Sequence, residues 1–108
     1  MSEFGLPDKT VAIVRQILAG FPAVERAILY GSRAKGNDRP GSDIDLTLFG
    51  DQLNLYILGQ IAARLEESSI PYMVDLSIWS QLDHAGLREH IERVGVIFYQ
   101  REEGEVRG

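Results

Sequence analysis

The sequence predicts a single α+β (α/β) domain over residues 1–108, built as a small mixed β-sheet flanked by helices. Apolar segments of strand type alternate along the chain with amphipathic segments of helical period, which is typical of a helix-covered sheet. A chain of 108 residues is long enough for one compact core and too short for two ordinary domains. Its hydrophobic share of 44% and charged share of 25% are those of a globular protein.

The first two elements are a helix and a short buried strand. Helical spacing of apolar residues predicts a helix over about residues 8–19, which ends where 20–22 supply glycine and proline. The apolar positions are Val11, Val14, Ile17, Leu18 and Phe21. The apolar run 27–30 then stops at Gly31 and reads as a strand leading into a turn.

A loop and an alternating strand follow. Residues 31–42 contain three glycines and a proline, so they are predicted to form the longest loop. Residues 43–49 alternate strictly in polarity. One face carries Ile44, Leu46 and Leu48, and the other carries Asp43, Asp45 and Thr47.

The same pattern occurs once more. A second amphipathic helix is predicted over about residues 53–67, and a third strand over 73–78. In that strand Asp75 and Ser77 lie opposite the apolar face formed by Val74, Leu76 and Ile78.

The last helix is predicted to be capped by Asp83 and to end at Gly95, before an edge strand over 96–99. Residues from about 100 to 108 are expected to form a flexible tail.

Three further side chains near these elements were considered for a role. His84 and His90 on the last helix lack a second ligand at metal spacing and are assigned none. Trp79 follows the third strand in phase with Asp75, which leaves open a packing role or contact with a nucleobase.

Bulk properties exclude several classes of function. The formal charge of −5 opposes broad binding to nucleic acid, and the absence of cysteine excludes disulfides and thiolate metal sites. No apolar run is long enough to span a membrane, and residues 1–7 lack the features of a signal peptide. We therefore expect a cytoplasmic protein.

The aspartates form a candidate metal site. Asp43 and Asp45, two residues apart on one strand face, have Cα atoms about 6.5–7 Å apart, and Asp75 joins them if its strand is adjacent. Oxygen-only ligands favour Mg²⁺ or Mn²⁺ and suggest metal-assisted phosphoryl transfer. The alternative is that all three are ordinary solvent-facing residues, although aspartate is depleted from strands.

The loop after the first strand is a candidate phosphate site. Gly31 and Ser32 offer backbone N–H groups and a hydroxyl, Arg33 adds positive charge, and Lys35 is either a phosphate contact or a solvated charge. The spacing matches neither a P-loop nor a dinucleotide fingerprint. The D-x-D-x-T run at 43–47 resembles that of haloacid-dehalogenase-type phosphatases, but here the acids begin a strand rather than end one.

The spacing of these motifs carries a family resemblance. Gly31-Ser32, ten further residues and Asp43-x-Asp45 resemble the signature of the DNA polymerase β-like nucleotidyltransferase superfamily, and the fuller run 31–46 resembles its minimal (MNT) branch. The resemblance implies that Asp43, Asp45 and Asp75 hold two Mg²⁺ or Mn²⁺ ions, with Asp75 a ligand or base. It also implies that Gly31 and Ser32 hold the β- and γ-phosphates of ATP or another nucleoside triphosphate.

The resemblance also suggests a biological setting. Larger members carry an extra domain that binds the acceptor, and minimal members are typically paired with a small helical protein of HEPN or HepT type. Such members act as antitoxins that place AMP on a tyrosine of the partner. Two alternatives stay open: a non-catalytic nucleotide-binding module that neutralises its partner by occlusion, and a small-molecule nucleotidyltransferase that needs a second subunit.

Overall fold

The computed structural model describes residues 4–31 and 43–101. These residues form three α-helices and one four-stranded sheet with the order β3-β2-β1-β4. The helices are α1 (Asp8–Ala19), α2 (Leu55–Glu67) and α3 (Ala85–Val94). The strands are β1 (Arg26–Tyr30), β2 (Ile44–Phe49), β3 (Val74–Ile78) and β4 (Val96–Gln100), and a short 3₁₀ turn, Trp79–Gln81, follows β3.

The sheet is mixed, as the sequence predicts. Strand β1 pairs antiparallel with both β2 and β4, whereas β2 and β3 run parallel. A parallel pair requires a crossover connection, and α2 provides it between β2 and β3. The predicted helix over 8–19 has the bounds observed for α1, and the other predicted elements are confirmed to within about two residues.

One face of the sheet carries the main core. Helices α1 and α2 pack against each other on this face, and α2 also contacts β3. The predicted apolar faces of the strands supply the sheet side of the core. Buried side chains there are Ala27, Leu29, Ile44, Leu46, Leu48 and Ile78, whereas Val74 and Leu76 of the predicted face of β3 are only partly buried and pack against them.

The opposite face is covered over only part of its length. Helix α3 contacts β1 there, with Ile91 buried, and a Cβ added at Gly95 would lie only 2.6 Å from Ile28. Beside it Trp79 stacks on Phe49, with ring centroids 5.2 Å apart. Trp79 therefore packs within the fold at the far end of the face from Asp75.

One prediction at the end of an element was wrong. Asp83 does not cap α3: the N-cap is His84, whose Nδ1 accepts a hydrogen bond of 3.0 Å from the Leu87 amide. Strand β4 extends to Gln100, and the Arg101 amide donates to the Glu25 carbonyl at 2.9 Å. Residues 102–108, which make up most of the expected tail, lie outside the described residues.

Within residues 4–31 and 43–101, no helix is both long enough and apolar enough to cross a bilayer.

Candidate active site

The site predicted from the aspartates lies at one edge of the sheet. Strand β1 ends there with Tyr30, and β2 and β3 both begin there, each with an aspartate as its second residue. This arrangement follows from the topology, because β2 is antiparallel to β1 and parallel to β3. The carboxyl end of one strand and the amino ends of two others therefore meet at a single edge.

The register aligns three side chains across this edge. Asp45 is the pairing partner of Tyr30 in β1 and of Asp75 in β3. We call Tyr30, Asp45 and Asp75 the acidic row. Adjacent strands are about 4.8 Å apart, so two carboxylates lie side by side on one face. The sequence left open whether the strands at 43–49 and 73–78 are neighbours, and the structure shows that they are.

Asp43 stands just outside β2, two residues before Asp45. It is exposed, as is Asp75, whereas Asp45 between them is partly buried. In the described part of the chain, no three acidic or imidazole side chains are close enough to form a ready-made metal cage. The aspartates thus share a face and an edge of the sheet without already converging on one point.

Electrostatics couples these three carboxylates. Burial raises the pKa of Asp45, and the carboxylates of Asp75 and Asp43 raise it further. Each neighbour makes it harder for Asp45 to carry its negative charge. A bound cation would relieve this repulsion, and the oxygen-only donor set matches the preference of Mg²⁺ or Mn²⁺.

Gly31 directly follows Tyr30 in the chain and lies against Asp45, the middle residue of the acidic row. Its φ of +86° lies in the left-handed region, and a Cβ built on it would lie 2.5 Å from Asp45 Oδ2. Glycine is thus required here for two reasons, namely the backbone conformation and the close approach of a carboxylate. The sequence predicted the close approach of the backbone for a phosphate, but it did not predict the contact with Asp45.

Tyr30 is a residue of this edge that the sequence did not single out. Burial raises the pKa of its phenol, the Ser77 hydroxyl lowers it, and the carboxylates of Asp45 and Asp75 raise it again. Only the register of β1 against β2 connects Tyr30 with the acids, and no sequence spacing expresses that register.

Two hydroxyls lie on the same face, one step further from the edge. Thr47 pairs with Ser77, and both hydroxyl oxygens are buried without a hydrogen bond of good geometry. Ser77 Oγ is nevertheless close enough to the Tyr30 phenol to affect its pKa. The acid-bearing face is therefore exposed at Asp43 and Asp75 but buried at Thr47. The alternating polarity of residues 43–49 does not reveal this difference.

The remaining predicted phosphate contacts are Ser32, Arg33 and Lys35, and all three lie outside the described residues.

The sheet topology and the paired acids define the class of the protein as a nucleotidyltransferase. A family model described as "Polymerase beta, Nucleotidyltransferase" matches residues 13–104. The chain therefore belongs to the polymerase beta nucleotidyltransferase family, and the predicted membership, fold and enzyme class are confirmed.

The chain is also similar to a curated protein and to solved structures. The chain is 28% identical over 102 residues to a Haemophilus influenzae protein named "Probable protein adenylyltransferase MntA", covering 94% of this chain and 89% of that protein. A crystal structure of a toxin-antitoxin with AMP-PNP superimposes with a TM-score of 0.69 at 19% identity, over 94% of this chain and 80% of the other. An MNT antitoxin in complex with the tri-AMPylated HEPN toxin of Shewanella oneidensis gives a TM-score of 0.64 at 17% identity, over 92% and 76%. At these identities the two structures support the fold alone.

Proposed function

We propose that this chain transfers AMP from ATP to a hydroxyl of a helical partner protein of HEPN or HepT type, and so acts as the antitoxin of a toxin-antitoxin pair. The observation that carries the proposal is the pairing of Asp45 with Asp75 beside Gly31 at one open edge of the sheet. The relative named as a protein adenylyltransferase and the structural likeness to an MNT antitoxin bound to an AMPylated HEPN toxin support the choice of nucleotide and acceptor.

The three aspartates fit a divalent-metal site. Asp43, Asp45 and Asp75 would hold two Mg²⁺ or Mn²⁺ ions. Burial raises the pKa of Asp45, and repulsion from the carboxylates of Asp75 and Asp43 raises it further, which is a repulsion that a cation would relieve. When bound, such ions supply electrostatic stabilisation of the charge that develops on the transferring phosphoryl group.

The chain's own residues then have distinct tasks. Gly31 brings backbone close to Asp45, and with Ser32 it would hold the β- and γ-phosphates, while Arg33 and Lys35 add positive charge. Asp75, exposed on the outermost strand, would accept the proton of the acceptor hydroxyl. The acceptor oxygen forms a bond to the α-phosphorus, the bond from that phosphorus to the β-phosphate oxygen breaks, and pyrophosphate leaves.

The test uses the chain, the protein encoded by the adjacent gene as the candidate acceptor, Mg²⁺ and ATP labelled at either the α- or the γ-phosphate. We expect label from the α-position on the partner and none from the γ-position. Asp75→Asn should reduce transfer by about 10²–10⁴-fold, the usual contribution of a general base, while the pair still forms.

A double variant separates this proposal from its main alternative. Asp43→Asn with Asp45→Asn should abolish both labelling and neutralisation of the partner's toxicity. Neutralisation that survives in this variant would indicate occlusion by a non-catalytic module. Absence of label with any nucleotide, while the wild-type pair binds, would contradict the proposed activity.

A further inference from the structure

A groove runs along the outer side of β3, between that strand and α2. Its volume is about 600 Å³. Small residues of α2 form one wall, and the segment that leads into β3 forms the other. The lining includes Gly59, Ala62, Ala63, Pro71, Tyr72 and Met73. We call it the β3 groove.

The β3 groove carries exposed apolar side chains. Met73, which lines it, is 72% exposed, and Tyr56, at the start of α2, is 73% exposed. Tyr56, Gly59 and Ala63 follow one another at i, i+3 and i+7, so they lie on the same side of the helix. Large exposed apolar side chains beside a groove are typical of an interaction surface, and the small residues let a second backbone approach closely.

The groove and the acidic row lie at the same end of β3. Val74 lines the groove from the face of the sheet that the helices cover, whereas Asp75, the next residue, belongs to the opposite face. At about 3.3 Å per residue, the Cα of Asp75 is within about 7 Å of that of Met73. Within the described sheet β3 is an outermost strand, so only its free edge separates the groove from the face that bears Asp75. A protein seated in the groove could therefore reach around this edge and present a hydroxyl to Asp75.

Charge selects the kind of protein that fits. Glu66 lines the groove and Asp75 lies across the free edge of β3 from it, whereas Arg64 on the same helix is turned toward the Phe21 ring, 5.8 Å from its centroid. The whole chain has a formal charge of −5. A second copy would bring like charges together, whereas a partner with Lys or Arg beside an apolar anchor would be complementary.

We propose that the β3 groove docks the acceptor protein, through an apolar segment of that protein flanked by basic side chains, and so delivers the acceptor hydroxyl to Asp75. This inference rests on the proposed function, since it names the surface by which the acceptor reaches the same site. It explains how a chain whose described residues form a single nucleotidyltransferase unit obtains an acceptor surface.

The test places a large charged side chain in the groove. Ala63→Arg fills it without touching the acidic row, and Ala12→Arg on α1 is the matched control, because Ala12 is also an exposed helical alanine but lies outside the groove. The measurements are affinity for the candidate acceptor protein encoded by the adjacent gene, transfer of label to it, and binding of ATP with Mg²⁺ to the chain alone.

We expect Ala63→Arg to weaken the pair by at least about 30-fold, as loss of an interface hot spot does, with transfer reduced in parallel. ATP binding should be unchanged, and Ala12→Arg should behave as the wild type. Glu66→Lys should slow association several-fold through charge reversal alone.

Wild-type affinity in Ala63→Arg would overturn the proposal. A wild-type dimer that Ala63→Arg converts to monomers would show instead that a second copy occupies the groove. If the wild-type pair binds without any transfer, the proposed function fails, while loss of binding in Ala63→Arg would still support the docking surface.

Discussion

Replacement of Gly31 by alanine should damage catalysis far more than folding. The added Cβ would lie 2.5 Å from Asp45 Oδ2, whereas ordinary contacts begin at 3.4 Å. The two atoms must therefore separate by about 0.9 Å, the difference of those distances. A misplacement of about 1 Å in a catalytic group can cost about 100-fold in rate, so we expect a loss of that order in transfer.

The cost to stability is smaller. An L-residue in the left-handed conformation that Gly31 adopts costs about 1–2 kcal/mol. A domain with a typical free energy of unfolding of about 5–15 kcal/mol stays almost fully folded after such a loss. Gly20→Ala is the matched control, because the φ of Gly20 is −76° and the atoms nearest an added Cβ lie at ordinary contact distances of 3.4 and 3.9 Å. That change should raise stability by about 0.4–1 kcal/mol and leave transfer unchanged.

The assay has two parts. Urea unfolding gives the folded fraction of each variant, and the transfer rate of α-labelled ATP is then expressed per folded molecule. The reasoning would be refuted if Gly31→Ala kept the wild-type rate per folded molecule. It would also be refuted if Gly20→Ala lost as much activity, since the effect would then be general to glycine replacement.

Three further predictions concern stability, each measured by urea unfolding. The pKa of Asp45 in the folded state is raised above its ordinary 3.8, so ionisation of Asp45 lowers the free energy of unfolding as pH rises from that value through the folded-state pKa. Without metal, Asp45→Asn should therefore have a larger free energy of unfolding than the wild type at neutral pH. An equal advantage at about pH 3 would contradict this prediction. Thr47→Val removes a fully buried hydroxyl without a hydrogen bond and should stabilise by about 1–3 kcal/mol, whereas destabilisation would reveal a partner. The Arg101 guanidinium donates hydrogen bonds to the carbonyls of Val24, Ala19 and Phe21, so Arg101→Ala should lower the free energy of unfolding by about 1–3 kcal/mol. Arg93 is exposed, and an equal loss in Arg93→Ala would show that these hydrogen bonds are not the cause.

Periodicity predicted most of the fold because burial here follows the local pattern. The strict alternation in β2 matches the fully buried Ile44, Leu46 and Leu48, and the helical spacing of α1 matches its buried Val11 and Val14. Alternation along each strand placed Asp45 and Asp75 opposite the apolar side chains of their own strands and so on one face of the sheet. The parallel pairing of β2 with β3 brings them into register.

The rest depends on contacts between distant parts of the chain. Tyr30 joins the acidic row only through the register of β1 on β2, and Arg101 is held by carbonyls near the end of α1, about 80 residues earlier in the chain. The wrong cap has a local cause: Asp83 is the commoner residue type for an N-cap, but α3 begins at Ala85, which gives the position to His84. A histidine nitrogen that accepts a hydrogen bond can serve there equally well.

The position of Asp75 on an edge strand connects the two halves of the proposed mechanism. Asp45, on an inner strand, is partly buried and has strands on both sides, so it is suited to hold metal and nucleotide at a fixed place. Asp75 has β2 on one side and no described strand on the other, and it is exposed. If Asp75 were on an inner strand, a further strand would stand between its carboxylate and a protein docked at the edge of the sheet. An acid that must both complete the metal site and receive a proton from a separate molecule is therefore best placed on the outermost strand.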